Sequence, residues 1–164
     1  MSTGRKTAIT QKEIEEIFKF AEEDERFGVA FRGALSQIRL KIHLQSHGYV
    51  VENTQSDNAG KPDFIINGKT MEHKRARNEA YSDGCLKVEL QKSRGKVPER
   101  LYDNTFCDFV SADVSEHTGI KNDYRYARTN DLRRHRKYEN KISSIQRIDQ
   151  SWTSDLRALL DSNK

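Results

Sequence analysis

The sequence predicts an α/β protein, and three patterns support this fold class. Helical periodicities occupy the first part of the chain, short apolar strand-like runs fill its middle, and another helical pattern lies near its end. The apolar run Phe64–Ile66 is followed by Asn67-Gly68, the strongest short-range signal for a β-hairpin. At 164 residues the chain can bury a core of its own, and we expect one domain over 1–164 with a loose tail at 1–9.

Composition limits the partner and the compartment. Charged residues make up 33% of the chain, and the net charge of +4 with a pI near 9.0 favours a polyanionic partner. Cys85 and Cys107 fit no disulfide framework or zinc motif, so we expect free thiols. No apolar run approaches the ~18 residues of a membrane span, and no signal-peptide core follows Met1. These features predict a cytoplasmic protein that does not bind a membrane.

Two helices are predicted before the first strand. The first begins at a capping box formed by Thr10 and Glu13. The second extends from about Phe27 to His47, and Gly48 suits the residue after its end. We expect its apolar side to carry Ala34, Ile38 and Ile42, with Phe31, Leu35 and Leu40 beside it.

Strands are predicted on both sides of the hairpin. Tyr49–Val51 opens the first, and Leu86–Leu90 alternates apolar and polar residues as a third core strand would. Residues 106–114 read as a buried strand and Tyr124–Tyr126 as a strand at the sheet edge. Residues 130–148 are compatible with a helix, and a last helix is expected to begin after a cap at Ser151 or Thr153, with Trp152, Leu156, Leu159 and Leu160 on its apolar side.

The predicted hairpin places charged residues on one face. If Asn67 and Gly68 form a two-residue turn, the register is fixed, and the opposed pairs are Ile66 with Lys69, Ile65 with Thr70, Phe64 with Met71 and Asp63 with Glu72. Because side chains alternate along a strand, Lys74 shares the face of Glu72. Two opposed carboxylates repel each other and favour a cation between them. Hard divalent ions such as Mg²⁺ take carboxylate oxygens together with water and phosphate.

Pro62-Asp63 followed by Glu72-His73-Lys74 resembles the motif of the PD-(D/E)xK nucleases, the superfamily of most type II restriction endonucleases. The resemblance implies that Mg²⁺ is the cofactor, that Asp63 and Glu72 are metal ligands, and that Lys74 orients the attacking water. It further implies that the backbone carbonyl of His73 can be a ligand, while the His73 side chain alternates away from Asp63.

The same resemblance implies a restriction-endonuclease-like fold, a central mixed sheet of four or five strands with helices on both faces. In many of these nucleases the first core helix adds a Glu to the metal site. Here the nearest polar residue is Gln37, which we place near the site without the role of a ligand. A polar cluster after the third strand resembles a segment near the metal and the DNA backbone in several restriction enzymes: Gln91, Lys92 and Arg94.

A basic region at 121–147 is the main candidate for contact with DNA. It contains nine Lys or Arg residues and three acidic residues, and it interleaves them with Tyr124, Tyr126 and Tyr138. A solvated charged face is the other interpretation of this pattern. The predicted DNA-binding residues are Arg75, Arg77, Lys92, Arg94, Arg125, Arg128, Arg133, Arg134, Arg136 and Lys137.

The first functional hypothesis is a type II restriction endonuclease that cuts double-stranded DNA at a short specific sequence. It would act as a homodimer, because two-fold protein symmetry mirrors a palindromic site, and it would be paired with a DNA methyltransferase in a restriction-modification system. The second hypothesis is a structure-specific nuclease, such as a junction resolvase or a homing or phage recombination nuclease. The third is a DNA-binding module in which the carboxylates are structural. The loop at 78–84 is a further candidate for base contact.

Overall fold

The computed structural model describes residues 8–54, 61–92 and 95–162. These residues fall into two compact units that divide between Leu35 and Ser36. The expectation of one domain over 1–164 stays a prediction. Among the described residues, no helix is long and apolar enough to cross a bilayer.

The first unit contains helix α1 (Gln11–Glu23) and the beginning of helix α2 (Glu25–Ser46). The predicted capping box is confirmed: Glu13 N–H donates to Thr10 Oγ1 at 3.2 Å, and Thr10 N–H donates to the Glu13 carboxylate at 2.7 Å. Only Asp24 separates the helices, and its carboxylate accepts a bond of 2.7 Å from Phe27 N–H at the start of α2. The chain therefore turns sharply, and we call this pair of helices, residues 9–35, the helical corner.

The second unit is built on a five-stranded mixed sheet. Its strands are β1 (Val51–Asn53), β2 (Phe64–Ile66), β3 (Lys69–Arg75), β5 (Phe109–Asp113) and β6 (Tyr124–Arg128). Their order is β1-β2-β3-β5-β6, with β3 and β5 parallel and every other pair antiparallel. The predicted mixed sheet is confirmed, and β6 lies at its edge as expected.

The β2–β3 hairpin has the register that the turn predicts. Ile66 pairs with Lys69, Ile65 with Thr70, and Phe64 with Met71. Asn67 and Gly68 have φ values of 47° and 82°, the left-handed values that a type I′ turn requires at both positions. The turn sequence thus sets which residues of β3 face each side of the sheet.

One face of the sheet packs on α2 and on the short helix α4 (Leu156–Asp161). The predicted centre of the apolar side of α2 is wrong, because Ile38 and Ile42 are 54% and 61% exposed, whereas Leu40, predicted beside it, is buried. In the part of α2 that belongs to the second unit, the buried residues are Ser36, Leu40 and Leu44, one turn apart. Ser36 is drawn to the sheet by a polar contact with β3, and this contact sets the rotation of the helix.

The other face is covered by a separate two-stranded ribbon, β4 (Leu86–Glu89) with β7 (Ile145–Ile148), and by loops. The prediction that Leu86–Leu90 joins the central sheet is wrong. Both edges of β3 are already hydrogen-bonded, so β4 pairs with β7 instead. β4 meets the chain just after β3, through the Ala76–Val88 bridge and a bond of 2.9 Å from Arg77 N–H to the Lys87 carbonyl. Helices were expected on both faces, yet among the described residues this buried cluster contains none from α2 or α4.

Residues 130–148 do not form the expected helix. They contain the end of a 3₁₀ turn (Thr129–Asp131), an irregular loop and β7. The loop is held by the buried Gln146, whose side chain accepts from Arg133 N–H at 3.1 Å and donates to the Arg133 carbonyl at 2.9 Å. The last helix is capped by Asp155, which accepts from Ala158 N–H, and not by Ser151 or Thr153. A short helix α3 (Ser115–Thr118) follows β5.

We predict opposite effects for alanine at two glycines of α2. A Cβ at Gly28 would lie 2.4 Å from the Ala21 carbonyl oxygen, whereas a Cβ at Gly33 would meet nothing within 4 Å. Gly33→Ala should therefore raise stability by about 0.5–1 kcal/mol, the usual gain in a helix, and Gly28→Ala should lower it. Urea denaturation followed by far-UV circular dichroism measures both variants. Equal stabilisation by both would show that α1 and α2 do not approach closely at the helical corner.

Candidate active site

The candidate site lies at the open end of the β2–β3 hairpin, beside the first residue of β2 and the last residues of the longer strand β3. Asp63 precedes β2, and Glu72 and Lys74 belong to β3. The Asp63 carboxylate accepts from His73 N–H at 2.9 Å with Oδ2 and from the Gln37 amide at 3.2 Å with Oδ1. Gln37 thus lies beside the site, where the sequence placed it. These two bonds orient Asp63 toward the end of the hairpin.

Glu72 is buried in this site although it carries a carboxylate. Its side chain is 6% exposed, and Lys74 Nζ lies 3.7 Å from its Oε1 atom with a side chain that is 34% exposed. The second oxygen, Oε2, is buried and has no hydrogen-bond partner. A buried polar atom without a partner costs stability, so its persistence requires a functional explanation.

Burial, together with the negative charge of nearby Asp63, raises the pKa of Glu72 to about 8. The ammonium group of Lys74 opposes this shift without cancelling it. Near neutral pH and without a cation, the carboxyl therefore holds a proton that an exposed Glu would release. A cation bound between the carboxylates would replace that proton.

Tyr102 is a site residue that the sequence reasoning missed. It is buried, its ring stacks on Phe106 at 4.3 Å, and the charges of Glu72 and Asp63 add to burial in raising the pKa of its phenol. The phenol therefore lies close to both carboxylates. No local pattern marks Tyr102, because it comes from a loop 30 residues after Glu72 and is brought to the site by tertiary folding alone.

His73 lies on the opposite face of β3 from Glu72, as alternation predicts. Ser36 donates its hydroxyl proton to Asp113 at 2.8 Å and accepts from His73 Nε2–H at 2.8 Å, so His73 Nδ1 accepts from the Ser111 hydroxyl at 2.7 Å. Burial is the main cause that lowers the pKa of His73 to about 4, which keeps the ring neutral. This chain of bonds joins α2 to β3 and β5, and it fixes the strand that carries Glu72. The proposed role of the His73 carbonyl stays a prediction.

The donors suit a hard divalent ion. Among the described residues, no three or more His, Cys, Asp or Glu side chains converge, so the site offers a pair of carboxylates. Mg²⁺ is commonly held by one or two carboxylates and completes its shell with water and phosphate. The unpartnered Glu72 oxygen and the nearby Asp63 carboxylate fit such an ion.

The polar cluster after β4 lies close to the same site through its backbone. Gln91 forms a bridge with Leu101, the residue before Tyr102, and its side chain donates to Glu89. Lys92 N–H donates to the Arg100 carbonyl at 2.8 Å. Arg94 lies outside the described residues, so its predicted role stays a prediction.

Apart from Lys92 and Arg94, the predicted DNA-binding cations divide into two groups of four. Four are engaged within the chain: Arg75 pairs with Glu116, Arg125 with Asp123, Arg134 bonds to Asn130, and Arg128 bonds to carbonyl oxygens at the end of α4. The group with exposed side chains comprises Arg77, Arg133, Arg136 and Lys137. The exposed group has charge to offer a phosphate backbone, although Arg77 also contacts Glu89 at 2.7 Å.

The loop at 78–84 is ordered by contacts with the ribbon. Two cations lie over the Tyr81 ring, with the Arg147 guanidinium 4.2 Å and the Lys87 ammonium 4.9 Å from its centre. Arg147 also pairs with Asp83. The loop therefore presents an aromatic ring and positive charge beside β4, which is connected to β3 through the Ala76–Val88 bridge.

No protein-family model matches the chain, and no curated protein matches it. Among solved structures, the chain is similar to a bacterial homing endonuclease, I-Ssp6803I, with a TM-score of 0.51 and 14% sequence identity. The similarity covers 74% of this chain and 78% of that one. At this identity the similarity shows the fold alone.

We predict that Glu72 makes the metal-free protein less stable as the pH rises. Between the ordinary pKa of 4.5 and the folded pKa of about 8, the unfolded chain releases the Glu72 proton and the folded chain keeps it. Unfolding is therefore favoured at higher pH, by up to ~1.4 kcal/mol per pH unit from this group. Relative to wild type, Glu72→Gln should thus become progressively more stable across this window.

The measurement is urea denaturation in EDTA at several pH values between those two pKa values. Glu52→Gln, which changes an exposed carboxylate of β1, is the control and should run parallel to wild type. A constant difference between Glu72→Gln and wild type would mean that Glu72 titrates as an exposed residue does.

Proposed function

We propose that this chain is a Mg²⁺-dependent DNA endonuclease whose site is formed by Asp63, Glu72 and Lys74. The observation that carries the proposal is the buried, unpartnered oxygen of Glu72, a residue close to the Asp63 carboxylate, with the Lys74 ammonium group 3.7 Å from the other Glu72 oxygen. Such an arrangement lowers the stability of the free protein, and unfavourable arrangements of this kind occur mainly at functional sites.

The chemistry of phosphodiester hydrolysis assigns a role to each group. The reaction needs an activated water in line with the leaving oxygen and positive charge where the transition state gathers negative charge. A bound Mg²⁺ would supply a polarised water and neutralise that charge. Asp63, Glu72 and the His73 carbonyl would hold it, and Lys74 would orient the attacking water and stabilise developing charge. A compact ammonium on a flexible stem suits this role.

The neighbouring groups support the reactive ones. Gln37 and His73 N–H orient Asp63, so its carboxylate does not need to reorganise when a ligand arrives. Tyr102 is buried and lies close to Glu72, where it adds to the burial of the site. The buried bonds of His73 to Ser36 and Ser111 hold β3 in place behind the site.

Double-stranded DNA is the substrate that we propose, cut at a specific sequence by a homodimer. A type II restriction endonuclease is the first candidate, and a DNA methyltransferase encoded nearby would be its partner. The structural similarity to I-Ssp6803I, a bacterial homing endonuclease, favours a homing nuclease as the second candidate.

Cleavage of two substrates tests the proposal. Purified protein with Mg²⁺ is incubated with linear phage DNA and with a branched junction, and the cut ends are sequenced. Many discrete fragments sharing a short sequence support restriction, whereas cutting at one rare site supports the second candidate. Cutting of the junction alone indicates a structure-specific enzyme. A retarded band without cutting in any substrate would overturn the proposal in favour of a DNA-binding module.

We predict that Mg²⁺ stabilises the wild type and that this gain is lost in Asp63→Asn and in Glu72→Gln. A ligand that binds only the folded state shifts the folding equilibrium toward it, and each variant removes one charged ligand. Thermal melts with EDTA and with excess Mg²⁺ measure the shift. Glu79→Gln, whose side chain is 73% exposed, is the control and should gain as much as wild type. An equal gain in all four proteins would place the ion elsewhere.

We predict that Lys74→Ala abolishes cleavage and retains DNA binding, because both carboxylates remain. Binding is measured by gel retardation with Ca²⁺ in place of Mg²⁺, and cleavage is measured separately with Mg²⁺. Lys69→Ala, an exposed lysine on the same strand, should cut as wild type does. Undiminished cleavage by Lys74→Ala would remove this residue from the mechanism.

We predict that replacing Arg133, Arg136 and Lys137 together by alanine weakens binding to all DNA sequences. Each lost phosphate contact should lower the slope of log K against log salt by about 0.9. Fluorescence anisotropy over a salt series measures the slope. Arg157→Ala, which removes an exposed cation of α4, is the control. An unchanged slope in the triple variant would show that these residues form only a solvated face.

A further inference from the structure

We infer that the candidate site holds a single divalent ion per chain and that Gln37 is the residue that limits it to one. The inference rests on the proposed function for the class of ion. It goes beyond that function because it gives the number of ions and names a positioning residue that sets this number.

The carboxylate oxygens of the site have little capacity for a second ion. Asp63 accepts from the Gln37 amide at 3.2 Å with one oxygen and from His73 N–H at 2.9 Å with the other. Glu72 Oε1 lies 3.7 Å from the Lys74 ammonium group, whereas Oε2 is buried and has no partner. Within the described part of the chain, no third His, Cys, Asp or Glu side chain joins this pair. One carboxylate oxygen is therefore free, and a donor already uses a lone pair of each Asp63 oxygen. Two ions held close together need an oxygen that uses both lone pairs to bridge them, and a hydrogen-bonded oxygen does not offer both.

The charge of the site also matches one divalent ion. Two carboxylates and the Lys74 ammonium group leave one net negative charge, at a site where the Glu72 side chain is 6% exposed. One divalent ion together with one phosphodiester group brings this net charge to zero. A second ion would leave two uncompensated positive charges beside a buried side chain, and burial of unpaired charge is strongly unfavourable.

Helix α2 fixes the position of the Gln37 amide. The preceding residue, Ser36, is buried, and its hydroxyl bonds to His73 and to Asp113 at 2.8 Å in each case. This attachment holds residue 37 beside the open end of the hairpin, where its amide reaches Asp63. The amide orients the carboxylate by a hydrogen bond and adds no charge to the site. Glutamate has the same length and shape as glutamine, so at this position it would supply the third carboxylate that the site lacks.

Two substitutions of Gln37 should therefore have different effects on ion binding. Gln37→Glu adds a negative charge and frees the Asp63 oxygen from its hydrogen bond, so the site should take a second ion. Gln37→Met keeps the length of the side chain and removes the donor. Its capacity should stay at one ion, with an affinity about two- to tenfold lower, the effect of losing one hydrogen bond that orients Asp63.

The test counts the ions bound by the full chain without DNA. Mn²⁺ is the probe, because carboxylate and water ligands suit it as they suit Mg²⁺. Electron paramagnetic resonance measures the free Mn²⁺ during a titration, and the bound ions per chain follow by difference. In the first saturable phase, wild type and Gln37→Met should bind one ion and Gln37→Glu two. Gln45→Glu makes the same substitution at an exposed position of α2 and is the matched control, which should bind one.

A second measurement guards against loss of folding in the variants. In thermal melts, Gln37→Glu should be less stable than wild type in EDTA, since three carboxylates repel one another, and it should gain more than wild type from Mn²⁺. Two ions, or none, bound to the wild type would overturn the inference without any variant. One ion bound to Gln37→Glu, or an unchanged affinity of Gln37→Met, would show that Gln37 does not set the number.

Failure of this inference and failure of the proposed function are distinguishable, because the ions are counted without substrate. A wild type that binds one ion, with two in Gln37→Glu, but never cuts DNA would retain the inference and lose the nuclease. A wild type that binds two ions and cuts DNA in a Lys74-dependent way would do the reverse.

Discussion

Strand β3 is hydrogen-bonded on both edges, to β2 and to β5, and the rest of the second unit depends on this constraint. Because the strand cannot slip, its alternation sends Glu72 and Lys74 to one face and Met71 and His73 to the other. One seven-residue strand therefore carries the candidate reactive groups on one side and the attachment of α2 on the other. The pairing also excludes β4 from the central sheet, and the β4–β7 ribbon covers the reactive face instead.

Buried polar side chains are hydrogen-bonded on one face of β3 and only partly hydrogen-bonded on the other. On the α2 side, His73, Ser36 and Ser111 form a network in which donors and acceptors match, so their burial is compensated. On the other side, Glu72 keeps an unpartnered oxygen close to the charge of Asp63. A satisfied network stabilises a fold, whereas a buried carboxylate with an unpartnered oxygen beside a second negative charge carries a cost that binding of a cation can relieve. The contrast supports a binding role for one face and a structural role for the other.

Some cations of this protein form bonds within the fold and others are exposed to solvent, and composition does not distinguish the two groups. Arg128 binds carbonyl oxygens at the end of α4, where a cation also compensates the helix dipole. Arg133 and Arg136 extend into solvent on a loop that Gln146 holds. The acidic α1 and the basic exposed loop belong to different units. The net charge of +4 therefore combines one negatively charged surface with one positively charged surface.

Local sequence determined the parts of this protein that local physics controls. A two-residue turn demands positive φ at both positions, so Asn67-Gly68 alone determined the hairpin, its register and the shared face of Glu72 and Lys74. The capping box at Thr10 and Glu13 was equally local. The coarse α/β class and the central mixed sheet were also predictable, the sheet through the resemblance that the hairpin residues carried.

Tertiary structure decided what depends on distant partners. The rotation of α2 follows from the bond between Ser36 and His73, and no periodicity within the helix distinguishes the stripe at Leu40 and Leu44 from the stripe at Ile38 and Ile42. The alternation in Leu86–Leu90 predicts a strand but does not show which strand it pairs with. That pairing depends on which edges of the sheet are free, and both edges of β3 are already occupied, so β4 pairs with β7. Tyr102 reaches Glu72 across a loop, and the raised pKa of Glu72 arises from burial, which exists only in the folded chain.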